Sequence, residues 1–323
     1  MSLVAEFAQK LQTQEQGGSK STSEAGYYEG RIDILRGAEA AVFDIYGTLV
    51  DYWSSRFADS DEKQKYLLTV FRKTADYFGF TETLQKIDPD KSPEETLSNF
   101  YHGLILMKHE ELQSRGKNFP EVQIEQIWNV ILSILGNNGY IFDTDTYQSN
   151  EEGAKCIAYY YNFFALDRGF FEGVVDALIA LKKSGIKLGI VSNAQFYTPI
   201  DLSLFVREQS EQLVDYLELF DADLCFFSYD YSVAKPNPLL FTKLLDALKE
   251  LEILPENTVF VGNDLVQDIA AAQELGMKTA LFTGNEGSLF LHDKSGEVTP
   301  DIVFSSFNEL PQKLQFHSGK AGN

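Results

Sequence analysis

The sequence predicts an α/β fold, a doubly wound parallel sheet with a separate all-helical domain inserted into it. Three observations carry this. Five short apolar runs, at 40–43, 187–192, 223–228, 258–262 and 278–282, have the length of buried strands. Helical patterns separate the last four, the alternation expected of a parallel sheet. Between the first run and the second, more than a hundred residues show only helical spacing.

Taken in order, residues 1–30 read as a flexible N-terminal arm, with one amphipathic patch at 3–11 and a polar Gly/Ser linker at 17–26. The run Ala40-Ala-Val-Phe-Asp-Ile-Tyr-Gly-Thr-Leu-Val-Asp51 reads as a strand that delivers Asp44 to the carboxyl end of a sheet, where open α/β folds bind ligands. Gly47 allows a tight turn beside that carboxylate, and Thr48 supplies a hydroxyl that caps or orients. From 65 to 77 the chain sets Leu67, Leu68, Phe71, Ala75 and Phe78 on one helical face, and 96–112 and 125–135 repeat the spacing. Pro93, Pro120 and Gly136 punctuate these helices. The aromatic run Tyr159–Phe164 is expected to pack between domains. Helices follow at 174–182, 199–219, 238–251 and 268–275. The expected organisation is a core of 31–52 with 168–316, a helical domain at 53–167, and a disordered tail at 317–323.

Composition narrows the function classes. A formal net charge of −21 over 323 residues argues against nucleic acid or an anionic membrane as partner, since both require a basic face. No apolar stretch has the ~18 residues of a membrane span. The first residues lack the basic and apolar regions of a signal peptide. Two cysteines, Cys156 and Cys225, match no metal or redox spacing. A cytoplasmic protein with a small-molecule substrate is the expectation.

Three strands end in polar residues that would converge on one rim. Ser192 and Asn193 close the second strand, and Asn263, Asp264 and, one turn on, Asp268 follow the fourth. Lys235, in Ala234-Lys-Pro-Asn-Pro238, comes just before a helix whose start the prolines fix. Singly, each is an ordinary cap or turn residue. Together, Asp44, Asp264, Asp268 and Lys235 give a cluster of net charge −2, which one Mg²⁺ would neutralise through oxygen ligands.

These four segments, in this order, resemble the motifs of the haloacid dehalogenase superfamily. Asp44-Ile-Tyr-Gly-Thr-Leu49 resembles its first motif, with Asp44 as nucleophile. Ile190-Val-Ser-Asn193 resembles the second, Lys235 the third, and Val261-Gly-Asn-Asp-Leu-Val-Gln-Asp268 the acidic fourth. The resemblance spans about residues 38–310 and implies a Rossmann-like hydrolase core with a helical cap inserted after the first motif. It implies Asp44, Ser192, Lys235, Tyr46 and Thr48 as catalytic residues, and Asn193 and Gly47 as substrate contacts. It implies Asp44, the Tyr46 backbone carbonyl, Asp264, Asp268 and Asn263 as the Mg²⁺ set. Two residues depart from the family's phosphatases: Tyr46 stands where a second Asp serves as general acid, and Asn263-Asp264 replaces the usual Gly-Asp register. Asp264 is the favoured metal ligand, because a charged oxygen binds Mg²⁺ better than an amide.

The leading expectation is Mg²⁺-dependent hydrolysis of a small phosphorylated metabolite through an aspartyl-phosphate on Asp44. Two alternatives stand beside it: a metal-independent 2-haloacid dehalogenase, and a non-catalytic protein that binds a phosphorylated ligand. Arg56, Arg72, Arg115 and Arg168 are candidates for a substrate-clamping cation, each expected at the surface. His102 and His109 are expected to be solvated or packed, and Phe241 stands where dehalogenases carry a tyrosine.

Overall fold

The computed structural model describes residues 2–14, 32–51, 60–293 and 296–316. It divides into two compact units, Met1–Gly18 with Ser54–Asp167, and Ser19–Trp53 with Arg168–Asn323.

The first unit is helical among its described residues: α1 Leu3–Gln14, α2 Ser60–Tyr77, α3 Thr81–Ile87, α4 Pro93–Ser114, α5 Ile124–Asn137 and α6 Asn150–Ala165, with a single turn at Thr144–Tyr147. The α4 start is a full capping box: the Ser92 side chain accepts from the Glu95 amide, the Glu95 carboxylate accepts from the Ser92 amide, and Pro93 fills the first turn. Ile127, Trp128, Ile131, Leu132 and Leu135 recur at three- and four-residue spacing and form the buried face of α5, which packs on α6.

Two expectations change here. Leu3–Gln14 is a helix seated on α6, and of the expected arm residue 1 and residues 15–30, with the linker, fall outside the described residues. Its stripe of Val4, Ala8 and Leu11 is buried, and Phe7 lies 6.3 Å from the rings of Tyr77, Phe78 and Tyr147. That aromatic groove is built from segments far along the chain, so the patch alone did not show what covers it. The aromatic run likewise forms the interior of this same unit. Tyr160 stacks on Tyr77 at 4.3 Å, and Tyr161 lies 4.5 Å from Phe71 and 5.7 Å from Trp128. The expected tail at 317–323 lies outside the described residues.

The second unit holds a six-stranded parallel sheet: β1 Ala40–Phe43, β2 Lys187–Ser192, β3 Cys225–Phe227, β4 Thr258–Gly262, β5 Lys278–Phe282 and β6 Ile302–Phe304, in the order β3-β2-β1-β4-β5-β6. Helices α7 Val174–Lys183, α8 Thr198–Gln209 and α9 Leu239–Glu250 connect them. β1 is buried on both faces, which is why it reads as an unbroken apolar run. Its side chains alternate between two cores: Ala41 and Phe43 join Val174 and Leu178 on one face, Ala40 and Val42 join Leu240 and Leu244 on the other. The sheet is doubly wound. β6 and the predicted helix at 199–219 are the departures: Ile302–Phe304 is too short to stand out, and α8 stops at Gln209.

β1 is flanked by β2 and β4, and the order reverses direction at β1, so the crevice outside the carboxyl ends of these three strands is the topological switch point. Residues just beyond Phe43, Val191 and Gly262 are therefore brought together by topology. Among the described residues no helix is long and apolar enough to cross a membrane.

Candidate active site

Asp44 leaves β1 with only 6% of its surface exposed. The chain then turns sharply: the Gly47 amide donates to the Val50 carbonyl at 2.8 Å, and the Leu49 and Val50 amides both reach the Ile45 carbonyl at 2.8 Å. Gly47 sits at φ +87°, and a β-carbon added there would lie 2.3 Å from Asn263 Nδ2. Glycine is required at this position by conformation and by close approach to β4's exit. Gly47 thus packs against Asn263 and Ser288, where the resemblance implied a substrate contact.

Asp44 Oδ1 accepts from the Ser192 hydroxyl at 3.0 Å and from Lys235 Nζ at 2.7 Å. The same ammonium donates to Asp268 Oδ1 at 2.6 Å, and all three ion-pairing side chains are nearly excluded from solvent. Burial alone would lower the Lys235 pKa, but the Asp268 and Asp44 carboxylates outweigh it and raise it, so this lysine is a permanent cation. For Asp268, burial and then the nearby Asp44 and Asp264 carboxylates push upward while Lys235 opposes, and the carboxyl lies above its ordinary range.

Asn193 holds this lysine in place. Its Oδ1 accepts from the Lys235 amide at 2.6 Å and its Nδ2 donates to the Lys235 carbonyl at 3.2 Å. A residue implied as a substrate contact commits both ends of its amide to positioning the lysine backbone. The neighbouring loop is fixed by Ser228, whose hydroxyl accepts from the Ala194 amide at 2.8 Å.

Asp264, the favoured metal ligand, is engaged elsewhere. Its Oδ1 accepts from the Val266 and Gln267 amides, each at 2.8 Å, capping the wide-wound turn Leu265–Ala270, and its Oδ2 pairs with His292 Nε2 at 2.8 Å. Asp268 Oδ2 accepts from the Asp264 amide at 3.1 Å, so both its oxygens are also occupied. Among the described residues no three His, Cys, Asp or Glu side chains converge on a cation position. The Ser192 and Lys235 contacts fall on Asp44 Oδ1, leaving Asp44 Oδ2 to a weaker one. Its closest hydroxyl, Thr48 Oγ1, stands at 3.5 Å and is nearer to Asn263 Oδ1, at 3.0 Å. Thr48 has a single proton to donate, which leaves a buried carboxylate oxygen poorly compensated beside an amide oxygen. Asp44 and Asn263 thus bring a carboxylate and an amide oxygen to one hydroxyl, and oxygen donors of this kind fit Mg²⁺.

Tyr46 follows Asp44 by two positions and its phenol is buried. Its hydroxyl lies 2.9 Å from Thr198 Oγ1 at the start of α8, and Thr198 Oγ1 accepts from the Gln195 amide at 3.2 Å. Burial, followed by the Asp201 carboxylate, raises its pKa, with Arg168 and the Thr198 hydrogen bond opposing. Tyr46 is a neutral phenol. Beside it lies a pair that the sequence did not reveal: Arg168 Nε and Asp201 Oδ2 are 2.7 Å apart with side chains 4% and 5% exposed. Arg168 is therefore a buried structural cation, where a surface residue was expected. Its partner is 33 positions away in an ordinary helical first turn, so spacing carried no signal. Thr198, Ser288 and His292, whose partners Tyr46, Asn263 and Asp264 lie 152, 25 and 28 positions away, were missed for the same reason.

Of the other candidates, Arg72 and Arg115 pair with carboxylates on the helical unit's surface, at 2.9 and 2.6 Å. His102 is exposed and meets Ser98 of its own helix at 2.9 Å. Arg56 lies outside the described residues. Phe241 is buried in the core, its ring 5.1 Å from that of Phe260.

A family model for haloacid dehalogenase-like hydrolases matches residues 38–276. The chain is 30% identical over 251 residues to a glyceraldehyde 3-phosphate phosphatase of Pyrococcus furiosus, an alignment that covers 74% of this chain and 90% of the relative. Among solved structures it is similar to a phosphatase of the same superfamily from Thermococcus onnurineus, at 20% identity and TM-score 0.45 over 85% of this chain and 97% of the other. It is also similar to a 2-haloacid dehalogenase from Pseudomonas syringae, at 19% identity and TM-score 0.49 over the same shares. With the family matched across most of its length and its motif residues gathered at one switch point, the chain belongs to the haloacid dehalogenase-like hydrolases.

Proposed function

We propose that this hydrolase cleaves a small phosphorylated metabolite by way of an aspartyl-phosphate on Asp44. The observation that carries the reading is the arrangement on one Asp44 oxygen of a buried hydroxyl and a buried ammonium, Ser192 and Lys235, with Asp268 holding the ammonium from behind. Such a set orients a carboxylate and presents fixed positive charge where phosphoryl oxygens would lie. The Pyrococcus relative, named for a phosphorylated three-carbon substrate, supports the same chemistry.

In the first step an Asp44 oxygen bonds to phosphorus as the bond from phosphorus to the leaving oxygen breaks. In the second, water attacks phosphorus, the acyl oxygen–phosphorus bond breaks to return the Asp44 carboxylate, and inorganic phosphate departs carrying the water's oxygen and both its protons. Ser192 and Lys235 remain in contact with the reacting carboxylate throughout. A Mg²⁺ held by Asp44, the Tyr46 carbonyl and Asn263 would supply further charge against the phosphate's negative oxygens.

Tyr46 sets the boundary of this activity. A neutral phenol tied to Thr198 does not activate water, and a missing general acid–base typically costs about 10²–10⁴-fold. A leaving carboxylate needs no proton and a leaving alkoxide does, so the reading favours acyl phosphates over simple esters. Dehalogenation remains the second reading, because a departing halide also needs no proton. The committed Arg168–Asp201 pair weighs against it, since that arginine does not present a clamp to a haloacid's carboxylate.

The test compares acetyl phosphate with a generic phosphate ester, with and without Mg²⁺, beside Asp44→Asn. Turnover of acetyl phosphate that needs both Mg²⁺ and Asp44 is the expected result. Chloride release from 2-chloropropionate in the presence of EDTA, with neither phosphate compound cleaved, would replace this reading with the second.

A further inference from the structure

We infer that position 263 is built for an amide and not for a carboxylate, and that a divalent cation therefore enters this site together with a phosphate-bearing ligand rather than ahead of it. The inference rests on the phosphohydrolase reading and adds what controls its metal.

The two ends of the Asn263 side chain meet groups of opposite kind. Its Oδ1 accepts from the Thr48 hydroxyl at 3.0 Å, while its Nδ2 donates to the Ser288 backbone carbonyl. A backbone carbonyl only accepts, so it fixes which end of the amide is nitrogen. The surroundings are dry: Thr48 is 0%, Ser288 1% and Asn263 3% exposed. An aspartate here would set a carboxylate oxygen against the Ser288 carbonyl with no water to separate them. The Gly47 turn approaches the same nitrogen, leaving little space for a rotated side chain. Asn263 is thus matched to its neighbours and is not an aspartate that has lost its charge.

The charge balance follows. Asp264 is capped by two amides and paired with His292, and Asp268 is held by Lys235 and the Asp264 amide. Asp44 is left as the sole carboxylate beside Asn263, and Lys235 already offsets part of its charge. Mg²⁺ binds through one or two carboxylates plus substrate phosphates, and at this site the phosphate must provide the second anion. Asn263 is a positioning residue that makes metal entry conditional on substrate.

Mn²⁺ binding, followed by electron paramagnetic resonance, tests this on the full chain with and without inorganic phosphate. The wild type is expected to bind Mn²⁺ weakly alone and about 5–150-fold more tightly with phosphate, the usual range of coupling between two ligands. Asn263→Asp is expected to bind tightly without phosphate and to melt lower than wild type in metal-free buffer. Asn263→Ala should melt lower too, without any gain in Mn²⁺ affinity, which separates lost packing from added charge. Wild-type affinity that is the same with and without phosphate would overturn the inference and leave the phosphatase reading standing, and this comparison needs no variant to fold. No Mn²⁺ binding by the wild type even with phosphate would overturn both the inference and the magnesium dependence of the proposed reaction.

Discussion

In the helical unit, ion pairs run along the outside of helices. Arg72–Asp76, Lys108–Glu111, Arg115–Glu111 and Lys155–Glu152 have side chains 29–68% exposed. In the α/β unit, Lys235–Asp44, Lys235–Asp268 and Arg168–Asp201 are no more than 9% exposed. The first kind contributes little, because water and salt screen it and long side chains lose entropy on pairing. The second kind is costly to assemble, and apolar residues of the same size would often be as stable. The helical unit gains its stability from packing instead, with the rings of Phe71, Tyr101, Trp128 and Tyr161 in mutual contact. Buried charge that stability alone does not require is the stronger pointer to chemistry.

Within the α/β unit the two buried systems differ as well, and substitutions separate them. Lys235→Met removes the one cation between two carboxylates. It should cost about 3–5 kcal/mol of stability, seen as a lower denaturation midpoint, and lower turnover by about 10²–10³-fold. Arg168→Met should destabilise by a similar ~3–5 kcal/mol by stranding Asp201. Pairing it with Asp201→Leu should restore the midpoint with most of the turnover, because both charges are then gone. If the double variant stays as inactive as Lys235→Met, the Arg168 system belongs to the reaction and the contrast fails.

Smaller effects follow. Tyr46→Phe deletes the contact with Thr198 and should cost about 0.5–1.5 kcal/mol. Since burial raises the phenol's pKa, Tyr46 stays protonated through and beyond the neutral range, and its removal should leave the pH–rate profile in shape. A limb that disappears with the hydroxyl would show that Tyr46 exchanges a proton during turnover. At the bottom of the scale, Arg72→Ala on the helical surface should leave the melting temperature unchanged within measurement, at high salt and at low.

The sequence was readable where a signal is local. Buried parallel strands are apolar runs, so β1, β2, β4 and β5 stood out, and the polar residues closing them marked one rim. Ser192, Asp44, Lys235 and Asp268 form one chain of hydrogen bonds because β1 sits between β2 and β4. What stayed hidden depends on partners far along the chain. The docking of α1 needs an aromatic groove supplied by residues 77–160. The Arg168–Asp201 pair joins two positions that each look like ordinary surface residues. The choice between Asn263 and Asp264 turned on charge when read from sequence. In the fold Asn263 meets the Ser288 carbonyl, 25 residues away, and Asp264 caps two helix amides, contacts that the motif alone does not show.

The central claim is that Asp44 is a nucleophile and not only an anchor for Lys235. Quenching the enzyme with acid during turnover of acetyl phosphate, then mapping phosphoryl adducts by mass spectrometry, tests it directly. The account predicts an adduct on the peptide bearing Asp44, lost on hydroxylamine treatment and absent from Asp44→Asn. Turnover that persists in Asp44→Asn, or an adduct on another residue, would contradict it.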